Sequence, residues 1–205
     1  MSQFKFLVLE MRGHTPQEWL KWGAKRYDDQ QGDDPEYRDL IEKHKLLLAD
    51  DFRRIGKWKD GAATEGRWKP NIASVAYLVW EQAAEELPKC PEESAVAAFL
   101  ENWSDREYTD EFRNGQKRKK HFGVPRATTL LHFISGGRYP IFDARVRTAI
   151  ARLLGQPELP NTVRSYVDSL PLFQELAEQC EAQDFRMLDK ALFSYGALDE
   201  REFSN

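Results

Sequence analysis

The chain has 205 residues, of which 41% are hydrophobic and 31% are charged, and its formal net charge at pH 7 is −4. This composition is typical of a globular protein with a hydrophobic core, and it excludes a wholly disordered or fibrous chain. The two cysteines, Cys90 and Cys180, are too few for a disulfide framework or an all-cysteine iron–sulfur site. No apolar run approaches the ~20 residues that cross a bilayer, and no signal-peptide pattern opens the sequence. We therefore expect a cytoplasmic protein that does not enter a membrane.

The first half of the chain is predicted to be helical. Residues 4–9 fit either a short strand or the first turn of a helix. Thr15-Pro16-Gln17-Glu18 forms a capping box with proline in the first turn, which predicts a helix to about Asp28. The remaining predictions in this half are a helix from Asp34-Pro35 with apolar positions to Leu48, a short segment over Phe52–Trp58, a loop or lobe boundary over Lys59–Pro70, and a helix over 72–87.

The second half continues the helical pattern, and no β-hairpin is predicted. The first segments are a helix over Pro91–Trp103, a helical segment over 105–114 capped by Ser104 or Asp105, and a basic turn at 117–125. Two helices follow, over 124–134 and 144–154. A further helix begins at Asn161 and is kinked or restarted at Pro171, and another runs from Asp184 to Gly196. The sequence therefore predicts an all-α, multi-helix fold in a single domain over 1–205. Two small lobes around a cleft, 1–70 and 71–205, are the alternative division.

Positive charge is concentrated in one part of the sequence. Between Arg113 and Arg164 there are eleven basic residues and two acids, so this window carries +9 and the rest of the chain −13. Such asymmetry favours a polyanionic partner such as nucleic acid. The alternative is that the basic residues pair with acidic helices of the same fold, which requires no partner.

The segment from Lys117 to Arg152 carries the motifs that point to a chemistry. A glycine turn opens a helix, and Asp143 stands at the start of the next helix, 20 residues after Gly123. This pattern resembles the helix-hairpin-helix DNA glycosylase superfamily, in which a Gly-Val-Gly-Arg-x-Thr-Ala hairpin precedes a catalytic aspartate in a Val-Asp-x-His-Val-x-Arg motif. The residues that carry the resemblance are Gly123-Val124-Pro125-Arg126-Ala127-Thr128-Thr129 and Phe142-Asp143-Ala144-Arg145-Val146.

The resemblance implies a base-excision repair hydrolase that binds double-stranded DNA. Asp143 would be the catalytic residue, because cleavage of the bond between base and sugar develops positive charge on the sugar. The base must first be flipped out of the duplex. Backbone N–H groups at a helix N-terminus and nearby basic side chains suit DNA phosphates. The predicted nucleic-acid-binding residues are Lys117, Arg118, Lys119, Lys120, Gly123, Val124, Arg126, Thr128, Arg145 and Arg147.

Two positions depart from the superfamily pattern. Pro125 replaces a glycine, and proline has no N–H to offer a phosphate. Ala127 stands where lyase-competent members carry the lysine that forms a Schiff base. The resemblance therefore implies a monofunctional glycosylase that uses water and needs no metal or other cofactor. Lys119 or Lys120 could supply an amine in place of that lysine only through a different geometry. The four-cysteine iron–sulfur loop of some members is absent.

Less specific interpretations of the same residues stay open. Asp143 is also a suitable N-cap for its helix, a role that stabilises a helix by ~1 kcal/mol and needs no catalysis. A non-catalytic nucleic-acid-binding protein on the same scaffold, or an all-α protein whose basic face binds an acidic protein, would have the same sequence features. The base removed and the oligomeric state are not indicated by the sequence.

Overall fold

The structure is a computed structural model that describes residues 14–32, 34–61, 79–80, 82–86, 89–111 and 117–199. Within these residues helices predominate and the only strands are two short ones, so the prediction of an essentially all-α protein is confirmed at that level. The predictions for residues 4–9, for 62–70 of the loop and for 72–78 of the next helix lie outside the described residues.

The helices have bounds close to those that the sequence predicts. They are α1 (Pro16–Gln31), α2 (Pro35–Glu42), α3 (Ala49–Gly61), helical residues at 79–80 and 82–86, a 3-10 turn (Glu93–Ala95) leading into α4 (Val96–Ser104), α5 (Val124–Ile134), α6 (Ala144–Leu153), α7 (Val163–Gln179) and α8 (Phe185–Gly196). The capping box of α1 is confirmed, since Thr15 Oγ1 accepts from Glu18 N while Glu18 accepts from Thr15 N. Asp34 and Asp184 cap α2 and α8 as expected.

Several boundaries differ from the prediction. The second helix, α2, ends at Glu42, so Leu48 lies beyond it. Thr162, not Asn161, caps α7, because the Thr162 hydroxyl accepts from Ser165 N at 3.1 Å. Pro171 lies inside α7 without dividing it.

The segments on either side of residue 113 were wrongly predicted as a helical segment and a basic turn. They are antiparallel strands β1 (Glu107–Glu111) and β2 (Lys117–His121), which we call the ribbon. In β1 the side chains alternate, with Tyr108 buried and Glu107 and Thr109 exposed. This period of two, with acidic residues of β1 opposite basic residues of β2, favours strand pairing over a helix.

The chain divides into two compact units. The contiguous unit is 34–136, and the two-part unit combines Met1–Asp33 with Gly137–Asn205. The expected lobe boundary at residue 70 lies outside the described residues. The two-part unit takes segments from both ends of the chain because α1 packs against α8.

In the two-part unit, α8 packs against both α1 and α6. Gly23 allows α1 to approach Ala191 so closely that a Cβ would clash, and the Ser194 hydroxyl donates to Gly23 O at 2.8 Å. The Trp19 and Tyr195 rings meet edge to face, with centroids 5.8 Å apart. These contacts build a core that includes α6, the helix that begins after Asp143.

In the contiguous unit, α5 is the central helix and packs against α2, α3 and α4. Its residues from Ala127 to Ile134 are all buried. At the base of the ribbon, the Phe122 ring packs edge to face on Trp80, with centroids 4.8 Å apart. The position of α5, and of the glycine that precedes it, is therefore fixed by a buried aromatic core.

Candidate nucleic-acid interface

Gly123 forms the turn that begins α5. Its φ of 83° and ψ of 158° lie in a region open essentially to glycine alone. Its N–H donates to Ser104 O, the last residue of α4, at 2.9 Å, and Phe122 N donates to Arg106 O at 2.8 Å. The end of α4 and the start of α5 are therefore joined directly, and the ribbon extends from this junction.

The first turn of α5 offers few donors to a ligand. The first intrahelical bond runs from Ala127 N to Gly123 O at 3.0 Å. Of the three residues between them, Val124 and Arg126 carry a backbone N–H and Pro125 has none. Thr128 is fully buried, and its hydroxyl donates to Pro125 O at 3.1 Å within the helix. The side chain of Thr128 thus contributes to the helix rather than to an exposed surface.

The four basic residues predicted to bind DNA lie on β2, where they are paired in register with β1. Lys119 and Lys120 are exposed. Lys119 Nζ lies 2.9 Å from Glu107 Oε2, and this hydrogen bond holds the pKa of Glu107 below its ordinary value. The backbone partners of Lys117 and Arg118 are Glu111 and Asp110. The strand of positive charge therefore runs beside an acidic one.

Arg126 is half-buried and holds the ribbon to α5. Its Nη1 donates to Phe122 O at 3.2 Å and lies 3.4 Å from the Tyr108 hydroxyl. The guanidinium also lies 5.8 Å from the centre of the Tyr108 ring. These contacts assign Arg126 a structural part at the base of the ribbon.

Asp143 is the N-cap of α6, in extended backbone conformation. Its Oδ1 accepts hydrogen bonds from Arg145 N and Val146 N, each at 3.0 Å. Asp143 is half-buried, between the fully buried Phe142 and the exposed Ala144. The carboxylate is therefore held in a fixed orientation at the positive end of a helix.

The arginines of α6 differ in what they contact. Arg145 is exposed, and its guanidinium lies 4.2 Å from the centre of the Phe193 ring. Among the described residues it has no carboxylate partner. Arg147 has a side chain only 12% exposed, donates to Leu159 O at 2.8 Å and lies 3.6 Å from Glu158. Of these two predicted DNA contacts, Arg145 alone presents its charge at the surface.

A third arginine of α6, Arg152, directs its guanidinium to backbone carbonyls of the same unit. Arg152 donates to Tyr195 O at 2.9 Å and to Leu198 O at 3.0 Å. These carbonyls lie at the C-terminal end of α8, where backbone acceptors lack helical partners. Intramolecular partners thus exist for Lys119, Arg126, Arg147 and Arg152.

The predicted site residues are divided between the two units. The Gly123 turn, Val124, Arg126, Thr128 and the basic strand belong to the contiguous unit, whereas Asp143, Arg145 and Arg147 belong to the two-part unit. Sequence reasoning missed Glu107 and Tyr108, which position Lys119 and Arg126. The only signal in the sequence was a single aromatic residue, Tyr108, between the polar residues Glu107 and Thr109.

Searches of the described residues find no group of three or more His, Cys, Asp or Glu side chains placed to hold a metal ion. The same part of the chain has no helix with the length and hydropathy needed to span a membrane. Comparisons of the chain with protein-family models, curated proteins and solved structures find no match.

Proposed function

We propose that this chain is a DNA base-excision glycosylase of the helix-hairpin-helix type that hydrolyses the N-glycosidic bond of a flipped base. The observation that carries the proposal is the placement of Asp143. It is the only acid in the sequence between Arg113 and Gln156, and its Oδ1 is anchored by two N–H groups at the start of α6. A single, oriented carboxylate in a basic segment suits the stabilisation of a sugar cation.

The junction of α4 and α5 supports the helix-hairpin-helix assignment. The hydrogen bond between Gly123 N and Ser104 O brings the two helix ends together as a hairpin would. The ribbon, which lies between Ser104 and Gly123 in the sequence, is then an insertion in that hairpin. This arrangement keeps the glycine turn at the N-terminus of α5, where Val124 and Arg126 supply backbone N–H groups for a phosphate.

In the proposed reaction the duplex is held through its phosphates and the target base is rotated out of the stack. Departure of the base leaves positive charge on the sugar, which the Asp143 carboxylate stabilises. The base leaves with the electron pair of the N-glycosidic bond and takes a proton from solvent. Water then adds to the sugar, and Asp143 accepts the proton that this water loses. The two backbone hydrogen bonds fix the carboxylate before the substrate arrives, so no reorientation is required during the reaction.

Ala127 supports hydrolysis without strand cleavage. It is fully buried within α5 and carries no amine. A Schiff base with the sugar cannot form at this position, and the expected product is an intact strand with an abasic site. Strand breaks then appear only after added alkali. Strand cleavage without alkali would contradict this and point to Lys119 or Lys120 as the amine.

The test is base release by Asp143→Asn under single-turnover conditions. Duplexes carrying alkylated, oxidised, deaminated or mismatched bases are incubated with each variant, with and without alkali. Asparagine keeps the capping ability but removes the negative charge, so we expect normal duplex binding and a rate reduced by a factor on the order of 10² or more.

Asp184→Asn is the matched control, because Asp184 caps α8 through a bond of 2.8 Å from Met187 N. We expect it to release bases at the wild-type rate. Duplex binding without base release from any substrate would instead identify a non-catalytic nucleic-acid-binding protein. If the wild type neither releases a base nor binds any duplex, DNA is not the partner.

A further inference from the structure

The residues immediately before Asp143 are buried although they form no helix or strand. Pro140, Ile141 and Phe142 are all buried. Buried backbone carbonyls outside regular structure need a hydrogen-bond donor from elsewhere. The donor to Pro140 O is the hydroxyl of Tyr166, on α7, at 3.1 Å.

We infer that Tyr166 is the positioning residue for Asp143 in the proposed reaction. This inference rests on the proposed function and adds to it a residue that does not touch the DNA. Tyr166 has two contacts to the segment before Asp143: its hydroxyl binds Pro140 O, and its ring packs edge to face on Phe142 with centroids 5.5 Å apart. Phe142 also packs against Phe173 of the same helix, at 6.4 Å.

Asp143 is therefore held from both sides. On its C-terminal side, Oδ1 accepts from Arg145 N and Val146 N of α6. On its N-terminal side, α7 holds Pro140 and Phe142 through Tyr166. The carboxylate is bound to α6 and the backbone before it is bound to α7, so the backbone that carries the carboxylate has little freedom to shift.

The Tyr166 hydroxyl is suited to this role because it stays protonated. The side chain is fully buried, and burial raises its pKa well above the ordinary value of 10. It therefore donates to Pro140 O throughout the neutral range. Removing the hydroxyl leaves a buried carbonyl without its donor, and the segment is expected to shift.

Small displacements of a catalytic group reduce the rate far more than they reduce substrate binding. We therefore test Tyr166→Phe for both quantities, alone and combined with Asp143→Asn. The single variant is expected to lower the single-turnover rate about 10-fold while duplex Kd stays within about 2-fold. If Tyr166 acts through Asp143, it lowers the rate no further in the double variant.

Tyr27→Phe is the matched control, because the Tyr27 hydroxyl accepts from Arg186 at 3.0 Å in the same unit. Phenylalanine removes only this hydroxyl and keeps the ring on Phe193, the side chain on which Arg145 also stacks. We expect it to keep the wild-type rate. Phe142→Leu is a second variant for the same test, in case Tyr166→Phe folds poorly, and it should show the same loss of rate. Hydrogen exchange gives a readout independent of activity: the Arg145 and Val146 amides should exchange faster in Tyr166→Phe, whereas the α8 amides should not.

The outcomes separate the two proposals. A wild-type rate in Tyr166→Phe, an additive loss in the double variant, or unchanged exchange of the Arg145 and Val146 amides overturns the positioning role and leaves the function standing. A full rate in Asp143→Asn, or no base release by the wild type, overturns the proposed function and the positioning role with it.

Discussion

Lys119 and Glu107 contact each other diagonally across the ribbon, with Nζ 2.9 Å from Oε2. Both side chains are largely exposed, so the pair contributes little to stability. The pair reduces the positive charge that the ribbon presents, because Glu107 already neutralises one lysine of β2. In the proposed function, a DNA phosphate would compete with Glu107 for Lys119.

This relationship leads to a prediction about duplex binding. Glu107→Gln removes the competing acid and should strengthen binding, whereas Lys119→Glu with Lys120→Glu should weaken it by about the same factor for every sequence, because phosphate contacts carry no base information. Affinity is measured by fluorescence anisotropy over a range of salt concentrations, and the double reversal should flatten the salt dependence. Lys25→Glu with Lys57→Glu, an equal charge change on α1 and α3, should have a smaller effect. Equal effects of the two double reversals would remove the specific role of the ribbon.

The capping role of Asp143 is separable from its charge. Asp143→Ala loses both hydrogen bonds to Oδ1 and should destabilise the protein by about 1 kcal/mol. Asp143→Asn retains a capping oxygen, and its free energy of unfolding should stay within roughly 0.3 kcal/mol of the wild-type value. Urea unfolding of both variants measures the difference. A large destabilisation by asparagine would mean that the Asp143→Asn rate cannot be attributed to charge alone.

Arg152 is predicted to stabilise the fold and not to bind DNA. Arg152→Ala removes two charged hydrogen bonds to Tyr195 O and Leu198 O, and we expect a loss of about 2–3 kcal/mol in the free energy of unfolding. Arg164→Ala is the control, since the Arg164 side chain is 90% exposed and its pair with Asp168 is a surface one. That change should stay within about 0.5 kcal/mol. Weaker duplex binding by folded Arg152→Ala would contradict this assignment.

Acid is expected to weaken the contiguous unit through the pair of Glu86 and Arg106. Arg106 donates to both carboxylate oxygens of Glu86, and this lowers the pKa of Glu86 from its ordinary 4.5. A carboxyl whose pKa is lower in the folded state stabilises above the unfolded pKa, and the stabilisation is lost as the pH falls through the folded value. The urea concentration at the unfolding midpoint should therefore decrease as the pH is lowered below about 4.5. Glu86→Gln should lower the midpoint at pH 7 and approach the wild type at pH 3, while exposed Glu85→Gln should follow the wild type throughout.

Gly123 is expected to tolerate no side chain. Alanine at its φ of 83° and ψ of 158° should destabilise the protein by about 1–3 kcal/mol, and a displaced turn should also weaken duplex binding. Gly155→Ala is the control for a positive φ, since Gly155 has a φ of 62° and open space around it. It should cost about 1 kcal/mol and leave duplex affinity unchanged. Thermal unfolding and anisotropy together distinguish the two positions.

Local chemical signals were sufficient to predict most helices. Thr15, Asp34, Asp143 and Asp184 each cap the helix that the sequence assigned to them, because a short polar side chain at a helix start satisfies N–H groups within three residues. The ribbon was missed because its strands are short and polar. Their pairing is fixed by Tyr108 packing beneath them and by the bond from Gly123 to Ser104, and neither relationship is visible as periodicity.

The basic residues show a second limit of sequence reasoning. Arg126, Arg147 and Arg152 were counted alike as positive charge, yet each donates to backbone carbonyls. The identity of those carbonyls depends on where loops and helix ends lie in the fold. Net charge over a window therefore overestimates the charge that a partner meets. Arg145, stacked on Phe193 and exposed, could not be distinguished from the others by its position in the sequence.

The packing of α1 against α8 affects how the protein is made. The contiguous unit is synthesised before α6, α7 and α8, whereas α1 carries the buried Trp19, whose partner Tyr195 lies on α8, far along the chain. At about 5–20 residues per second, α8 follows α1 after roughly 10 to 30 seconds, and the apolar face of α1 lacks its partner during that time. Nascent chains should therefore bind holdase chaperones at α1, and release from the ribosome before α8 has emerged should direct the protein to aggregation or proteolysis.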